Sequence, residues 1–340
     1  MFYRLFTGLL FTCVLGAATA AQSQTKIVLL AGPDSHGWGK HAHHSVTEFM
    51  AACLDESGLG IEATVVYDAW PAEPAVLEGA KALVVYSDGG DKSLLAGHAA
   101  ELAALKSQGA GIVLVHWALD VQDEAVRKIL LDWLGGYYEV NWSVNPSWKL
   151  ADATIATHPT TRGVGTIALE DEWYYHMRFR PDLAGVTPVF STVPPASTLS
   201  RPDGPHSGNP AVRAAVEKGE PQHLAWASEN ADGTRGFGFS GGHNRFNWTD
   251  AAFRTLLLNG IVWAAGIEIP EGGVPSKAPL FPKNEFLLQA VALGDTEDVA
   301  RHLALGANVN EKNESGWTAL HYAAVRNQIA VGRALIERGL

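Results

Sequence analysis

The chain has 340 residues, 47% hydrophobic and 18% charged, an ordinary globular composition that excludes a disordered or collagen-like protein. Asp and Glu number 36 against 25 Lys and Arg, a net charge of −11 with no basic run, so the chain is poorly equipped to neutralise nucleic-acid phosphates or to sit on an anionic membrane. At roughly 150 residues per domain, the length predicts about two domains.

Residues 1–21 carry Arg4, an apolar stretch over 5–16, and Ala18-Thr19-Ala20. That is the layout of a secretory leader, too short to span a membrane. It predicts export, with the periplasm as destination and no membrane association after cleavage. Cys13 lies inside the leader, and Leu10-Phe11-Thr12 before it fits a lipoprotein signal poorly. The mature chain would keep Cys53 alone, so no internal disulfide can form and stability must come from a packed core.

From residue 25 the pattern alternates strand and helix. KIVLLA at 26–31 is a buried strand, and Val46, Phe49, Met50, Cys53 and Leu54 give helical spacing over 45–57. Strands follow at 61–67, 81–86 and 111–116, with helices at 94–107 and 123–134. A late strand is expected at 235–240 and a closing helix at 252–265. Strands apolar on both faces and separated by helices predict an α/β fold, a flavodoxin-like doubly wound parallel sheet, over 25–268.

Residues 137–234 interrupt this alternation with an aromatic-rich insert holding Tyr137, Tyr138, Trp142, Trp148, Trp173, Tyr174 and Tyr175. Such an excursion builds either a binding surface or a second small β layer packed for stability. A Pro/Gly-rich linker spans 269–283, with Pro270, Gly272, Gly273, Pro275, Pro279 and Pro282.

The tail, 284–340, is a short helical segment that repeats itself: Ala290 matches Ala323, Leu303 matches Ile336 and Gly306 matches Gly339, each 33 positions apart. GWTALHYAA at 316–324 resembles the ankyrin signature, with Ala319 where Pro is usual, and the resemblance implies that Thr318 caps a helix and His321 braces the turn. Fewer than two repeats are present, while about three are needed for independent stability. The expectation is an incomplete array: either a truncated sequence or a fragment that docks on the first domain. A protein partner is the usual business of such a segment.

In a doubly wound sheet, ligands bind beyond the carboxyl ends of the strands. The first strand is followed by a loop with His36, His41, His43 and His44; 81–86 by Ser87 and Asp88; 111–115 by His116 and Trp117; the late strand by Gly241-Gly242-His243-Asn244. Imidazoles and carboxylates converging from separate strand ends suit a divalent cation or proton transfer near neutral pH, and a purely structural cluster is the third possibility. The metal candidates are His36, His41 and His43. His116, His243, Asp88, Glu172 and His176 are the acid–base candidates. In DEWYYH at 171–176, Glu172, Tyr174 and His176 would share one face of a strand, and Asp171, Trp173 and Tyr175 the other. Trp173 and Tyr174, with Trp117, Asn244 and His206, are the expected substrate contacts, because sugars stack on apolar rings and need fixed hydrogen-bond partners. No G-x-G-x-x-G follows the first strand, so no nucleotide cofactor is expected.

The segments AGPDSHGWGKHAHH, VVYSDGG, GIVLVHWALDV, HPTTRGV, DEWYYHMRF, GFGFSGGHNRFNW and LLLNGIVWAAG together resemble the ThuA-like (trehalose-utilisation) family, a branch of the class I glutamine-amidotransferase-like fold, over residues 26–268. The resemblance implies a flavodoxin-like sheet and a link to carbohydrate utilisation. One departure matters: glutamine amidotransferases place a nucleophilic Cys after a central strand, where this chain has His116-Trp117. Cys53 falls within a helix on an apolar face, so Cys-dependent amide hydrolysis is excluded. The leading expectation is an exported carbohydrate-active enzyme of isomerase, lyase or hydrolase type, working on a sugar or keto-sugar by His/carboxylate acid–base chemistry with or without a metal. The rivals are a non-catalytic carbohydrate-binding module with an ankyrin interaction tail and, by fold analogy alone, a nucleotide-binding regulator.

Overall fold

The computed structural model describes residues 24–339, so the expected leader, with Arg4 and Cys13, lies outside the described residues. Eight strands form the main sheet: β1 (Thr25–Ala31), β2 (Ile61–Tyr67), β3 (Ala82–Tyr86), β4 (Gly111–Val115), β5 (Ala153–Ile155), β6 (Val186–Thr192), β7 (Gln222–Glu229) and β8 (Arg235–Phe239). Their spatial order is β2-β1-β3-β4-β8-β7-β6-β5. The first five in that order run parallel, which is the flavodoxin arrangement, and the last three join antiparallel.

The helices of this unit are α1 (His43–Asp55), α2 (Ala99–Ser107), α3 (Glu124–Trp133), α4 (Pro210–Glu217) and α5 (Ala251–Ala264). Alternate strand residues face opposite ways, and both faces are covered. Ile27, Leu29, Val84, Val113 and Phe237 pack with Val46 and Met50 of α1 and Leu257 and Ile261 of α5. Val28, Leu30, Leu83, Ile112 and Leu114 pack with Leu102 of α2 and Val126 and Leu130 of α3. Each buried aliphatic side chain contributes about 1.5–3 kcal/mol, so burial on both faces drives the doubly wound layout.

Two details depart from the sequence reading. The helix expected from 94 starts at Ala99, because Gly97 adopts φ +81° and donates its amide to Asp123 Oδ2 (2.9 Å). The same carboxylate caps α3 through Ala125 N and Val126 N. The insert, second, is not a separate layer. It supplies β5, β6 and β7, which lengthen the main sheet, and two short pairs, Gly136–Tyr137 with Arg178–Phe179 and Ser147–Lys149 with Glu170–Glu172.

Between α5 and the tail the chain is irregular yet tethered: Ile269 O accepts from Arg162 Nη1 (2.5 Å), and Val274 N donates to Asn259 Oδ1 (2.8 Å). The tail folds into α6 (Leu287–Leu293), α7 (Thr296–Ala304), α8 (Ala319–Val325) and α9 (Ile329–Gly339) around Ala290, Val299, Leu303, Ala323 and Leu335. Thr318 caps α8, and His321 Nδ1 sits 2.8 Å from its hydroxyl, the brace that the ankyrin resemblance implies. Among the described residues, no helix is long and apolar enough to cross a membrane.

Cys53 is buried on α1, and burial pushes its thiol up to about 11. The thiolate is the reactive form, and at pH 8 it amounts to roughly a thousandth of the thiol. Iodoacetamide at pH 8 is therefore expected to leave Cys53 unlabelled in the native protein and to label it fully in denaturant. Rapid labelling of the native protein, followed by mass spectrometry, would contradict this packing.

Candidate active site

Four strand ends of the parallel sheet deliver side chains to one cluster. The loop after β1 presents His36 and His41, β3 leads to Asp88, β4 to His116 and β8 to His243. The pair Ser147–Lys149 and Glu170–Glu172 sets Glu172 against them. The backbone turns sharply to achieve this. His36, His41 and His116 adopt φ +62°, +40° and +56°, left-handed conformations costing about 1–3 kcal/mol each for a non-glycine residue. Gly89, beside the elbow, has no room for a side chain: a Cβ there would lie 2.1 Å from the Trp117 carbonyl oxygen.

The hydrogen bonds set the tautomers. Asp88 Oδ1 accepts from His41 Nδ1 (2.9 Å) and from the Ser35 hydroxyl (2.8 Å). The Ser240 carbonyl accepts from His116 Nδ1 (2.9 Å). A neutral ring so bonded keeps its lone pair on Nε2, and the two Nε2 atoms face each other at 3.2 Å. Glu172 Oε2 lies 3.5 Å from His116 Nε2 and 3.3 Å from His243 Nδ1, which makes no hydrogen bond. The Tyr174 hydroxyl donates to Glu172 Oε2 (3.2 Å) and stands 3.3 Å from His116 Nε2.

Burial shapes the charges. Loss of solvent lowers His41 to about 3, overriding the Asp88 bond that favours its charged form. Burial alone would raise the Asp88 carboxyl, but the bonds from His41 and Ser35 outweigh it and hold it at about 2. The Glu172 carboxyl, likewise opposed by burial, is held well below the usual range by His116 and His243. Burial pushes the Tyr174 phenol well above its ordinary value, so it remains a donor.

The sequence-based candidates divide. His41, His116, His243 and Glu172 come together with ligand-capable atoms within 4.8 Å of one another, and His36, His41 and Asp88 form a second, overlapping group. Of the expected metal set, His36 and His41 fall in these groups and His43 does not. His43 is fully buried, donates Nδ1 to the Pro33 carbonyl (2.7 Å) and leaves Nε2 without a partner, 3.9 Å from Asp88. His36 stands exposed at the edge of the cluster, its ring 4.0 Å from that of His41 and its Nδ1 2.8 Å from Ser35 Oγ.

His176 also stays out of the cluster. The chain turns at φ +59° there, which ends the strand alternation, and its ring bonds the Trp142 carbonyl (3.0 Å) and stacks on Trp142. Trp173 is no sugar platform: it is fully buried among Phe190, Phe239 and Phe253. Tyr174, only 2% exposed, offers its hydroxyl rather than a stacking face. Trp117 is half-buried with its ring 5.4 Å from His36 and 5.6 Å from His41. His206 lies one layer out, bonded to the Tyr138 hydroxyl (3.0 Å), and Asn244 is held through its amide by Asp171.

Sequence reasoning missed the part played by Asp171. Buried, it accepts from Gly242 N (2.7 Å), Asn244 N (3.1 Å) and Glu172 N (3.0 Å), so it fastens the His243 loop to the strand carrying Glu172. Its signal was the alternation in DEWYYH, which turns Asp171 inward with Trp173 and Tyr175. Ser35, the hydroxyl between His36 and Asp88, carried no signal.

The family profile described as trehalose utilisation (ThuA) matches residues 28–264, and that of ankyrin repeats (many copies) matches 287–336. Human mitochondrial disaggregase is 32% identical over an alignment of 149 positions that covers 36% of this chain and 21% of that protein. Mouse ankyrin repeat domain-containing protein 40 is 41% identical over 58 residues, 17% of this chain and 16% of that protein. The chain thus spans about a fifth or less of the length of these curated relatives. Among solved structures, a ThuA-like protein of Bacteroides uniformis superposes with a TM-score of 0.49 at 17% identity, covering 73% of this chain and 95% of the other. One from Parabacteroides merdae gives 0.46 at 16% identity, covering 75% and 93%. With the family profile matched over most of its length, the chain belongs to the trehalose-utilisation (ThuA) family and carries ankyrin repeats after that domain.

Proposed function

We propose that the cluster is the catalytic centre of an exported carbohydrate-active enzyme, one that moves a proton beside the carbonyl of a sugar or keto-sugar with a divalent cation held by His41, His116, His243 and Glu172. The observation that carries this reading is the convergence of four ligand-capable atoms, all within 4.8 Å of one another. Nε2 of His41 and of His116 face each other at 3.2 Å, and Glu172 Oε2 and the unpartnered His243 Nδ1 close the same space. The Tyr174 hydroxyl brings one proton to share among them. Such an arrangement is repulsive unless positive charge sits within it. Three imidazoles and a carboxylate suit zinc or a neighbouring first-row ion.

When bound, such an ion polarises a substrate oxygen and stabilises the charge that develops there. The chain's own groups do the rest. Asp88 orients His41, and the Ser240 carbonyl orients His116. His36, exposed and propped on Ser35, is placed to take and return a proton at the edge of the cluster. Trp117 offers a ring for the substrate to lie against. The sugar assignment is supported by the family's description and by that ring beside polar groups. Export is supported by the leader-like composition of residues 1–21.

Elemental analysis of the purified protein is expected to find about one divalent ion per chain. Turnover of keto-sugars is expected to fall at least about 100-fold in His243→Ala, the scale of one lost acid–base or ligand group. Full turnover by cation-free protein would sink the cation. A bound cation and bound sugar without any turnover would sink catalysis and leave a binding module.

A further inference from the structure

The loops that present His41 and His243 are both tied to the strap leading into the ankyrin helices. In the loop after β1, the Trp38 indole N–H donates to the Lys283 carbonyl (3.0 Å). The loop after β8 runs from His243 into Arg245, which is buried. Its Nη2 donates to the Pro282 carbonyl (2.9 Å), and its guanidinium lies 3.8 Å from the centre of the Trp38 ring. The loops also hold each other: His41 N donates to the His243 carbonyl (3.0 Å) and Arg245 N to the Gly39 carbonyl (2.8 Å).

The other side of the strap is gripped by the ankyrin segment. Asp298 on α7 is fully buried and accepts from Lys283 N (2.5 Å), Asn284 N (2.8 Å) and Asn284 Nδ2 (2.8 Å). The His302 ring donates Nε2 to the Asn284 carbonyl (3.0 Å). A buried carboxylate left without its donors is costly, so the strap stays in register with α7. Residues 283 and 284 face Asp298 with their amides, while the carbonyls of 282 and 283 face the site loops. Two or three residues of backbone thus connect α7 to the loops that carry two imidazoles of the cluster.

We propose that the ankyrin segment regulates the catalytic site by positioning it: Asp298, through the strap, sets the seating of Trp38 and Arg245 and with them His41 and His243. Any event that shifts α7 is then felt at the site. Linkage makes the effect reciprocal, so occupation of the site tightens the hold on the strap. The function of the site is taken from the reading above, but the coupling itself needs only the clasp.

Hydrogen exchange on the full chain without added cation tests the coupling directly, with two variants outside the cluster. Asp298→Asn is expected to speed exchange about 10-fold over 33–42 and 240–246 as well as in the strap, a modest coupling. Trp38→Phe keeps a ring beneath Arg245 and removes the indole donor; it is expected to speed exchange over 282–286, although no ankyrin residue has changed. Cation titration gives a second readout, in which Asp298→Asn weakens affinity about 10-fold at unchanged stoichiometry. Exchange changes confined to α6–α9 in Asp298→Asn and to the first loop in Trp38→Phe would overturn the proposal. Wild-type protein that binds no cation would count against the site's function instead, and the exchange data would still decide the coupling.

Discussion

His116→Ala is expected to weaken divalent-cation binding by more than about 100-fold, beyond the 10- to 100-fold typical of losing an outer partner. His116 is the hub of the cluster. Its Nε2 lies 3.2 Å from His41 Nε2, 3.3 Å from the Tyr174 hydroxyl and 3.5 Å from Glu172 Oε2. Its other nitrogen is locked on the Ser240 carbonyl, so the lone pair has one direction to point. The ring is fully buried and is set there by the left-handed turn after β4. Asp88→Asn is the graded control. It keeps every proposed ligand but loosens the His41 tautomer, so a loss of 10- to 100-fold is expected. Isothermal titration with zinc on both variants checks the order. Equal affinities for His116→Ala and wild type would remove the cluster from cation chemistry.

Trp173→Ala is expected to destabilise the ThuA domain by about 3–5 kcal/mol, the usual cost of emptying a large buried aromatic site. Phe190, Phe239 and Phe253 surround the ring at 5.8–5.9 Å between centres. The Gly241 backbone also presses against it, since a Cβ on Gly241 would sit 2.3 Å from the indole. That contact carries the effect to the site, because Gly241 precedes the loop of His243. In a domain of this size, each kcal/mol is worth about 2–4 °C, so the melting temperature should fall by roughly 10 °C. Trp117→Ala, by contrast, removes a half-buried ring that packs on the edge of the core and bonds Asp120 (3.3 Å), and should cost about 0.5–2 kcal/mol, a smaller fall in melting temperature than at Trp173. Thermal denaturation followed by circular dichroism separates the two. A small effect at Trp173 would mean that the ring is not core.

Strand-scale pattern was the most legible level. Continuous apolar runs at β1, β3 and β4, broken by helical spacing, specify a parallel sheet covered on both faces, because only that layout buries both sides of a strand. The rule that ligands gather beyond strand carboxyl ends then led to Asp88, His116 and His243 without coordinates. Alternation within DEWYYH also placed Glu172 and Tyr174 on one face and Asp171 and Trp173 on the other. The antiparallel extension was not legible. β6 holds a Pro and a register shift, and β5 is three residues long, so neither shows a sustained period.

Local sequence therefore decided the strands and helices of the parallel core and the edge where polar side chains collect, since each depends on periodicity and burial within a few neighbouring residues. Tertiary structure alone decided which histidines meet. His43 and His41 are two residues apart, yet one bonds the Pro33 carbonyl and the other faces His116. His176 leaves the group through a single left-handed turn. Ring direction is set by distant acceptors such as Asp88 and the Ser240 carbonyl, and those partners are fixed only when the chain closes on itself.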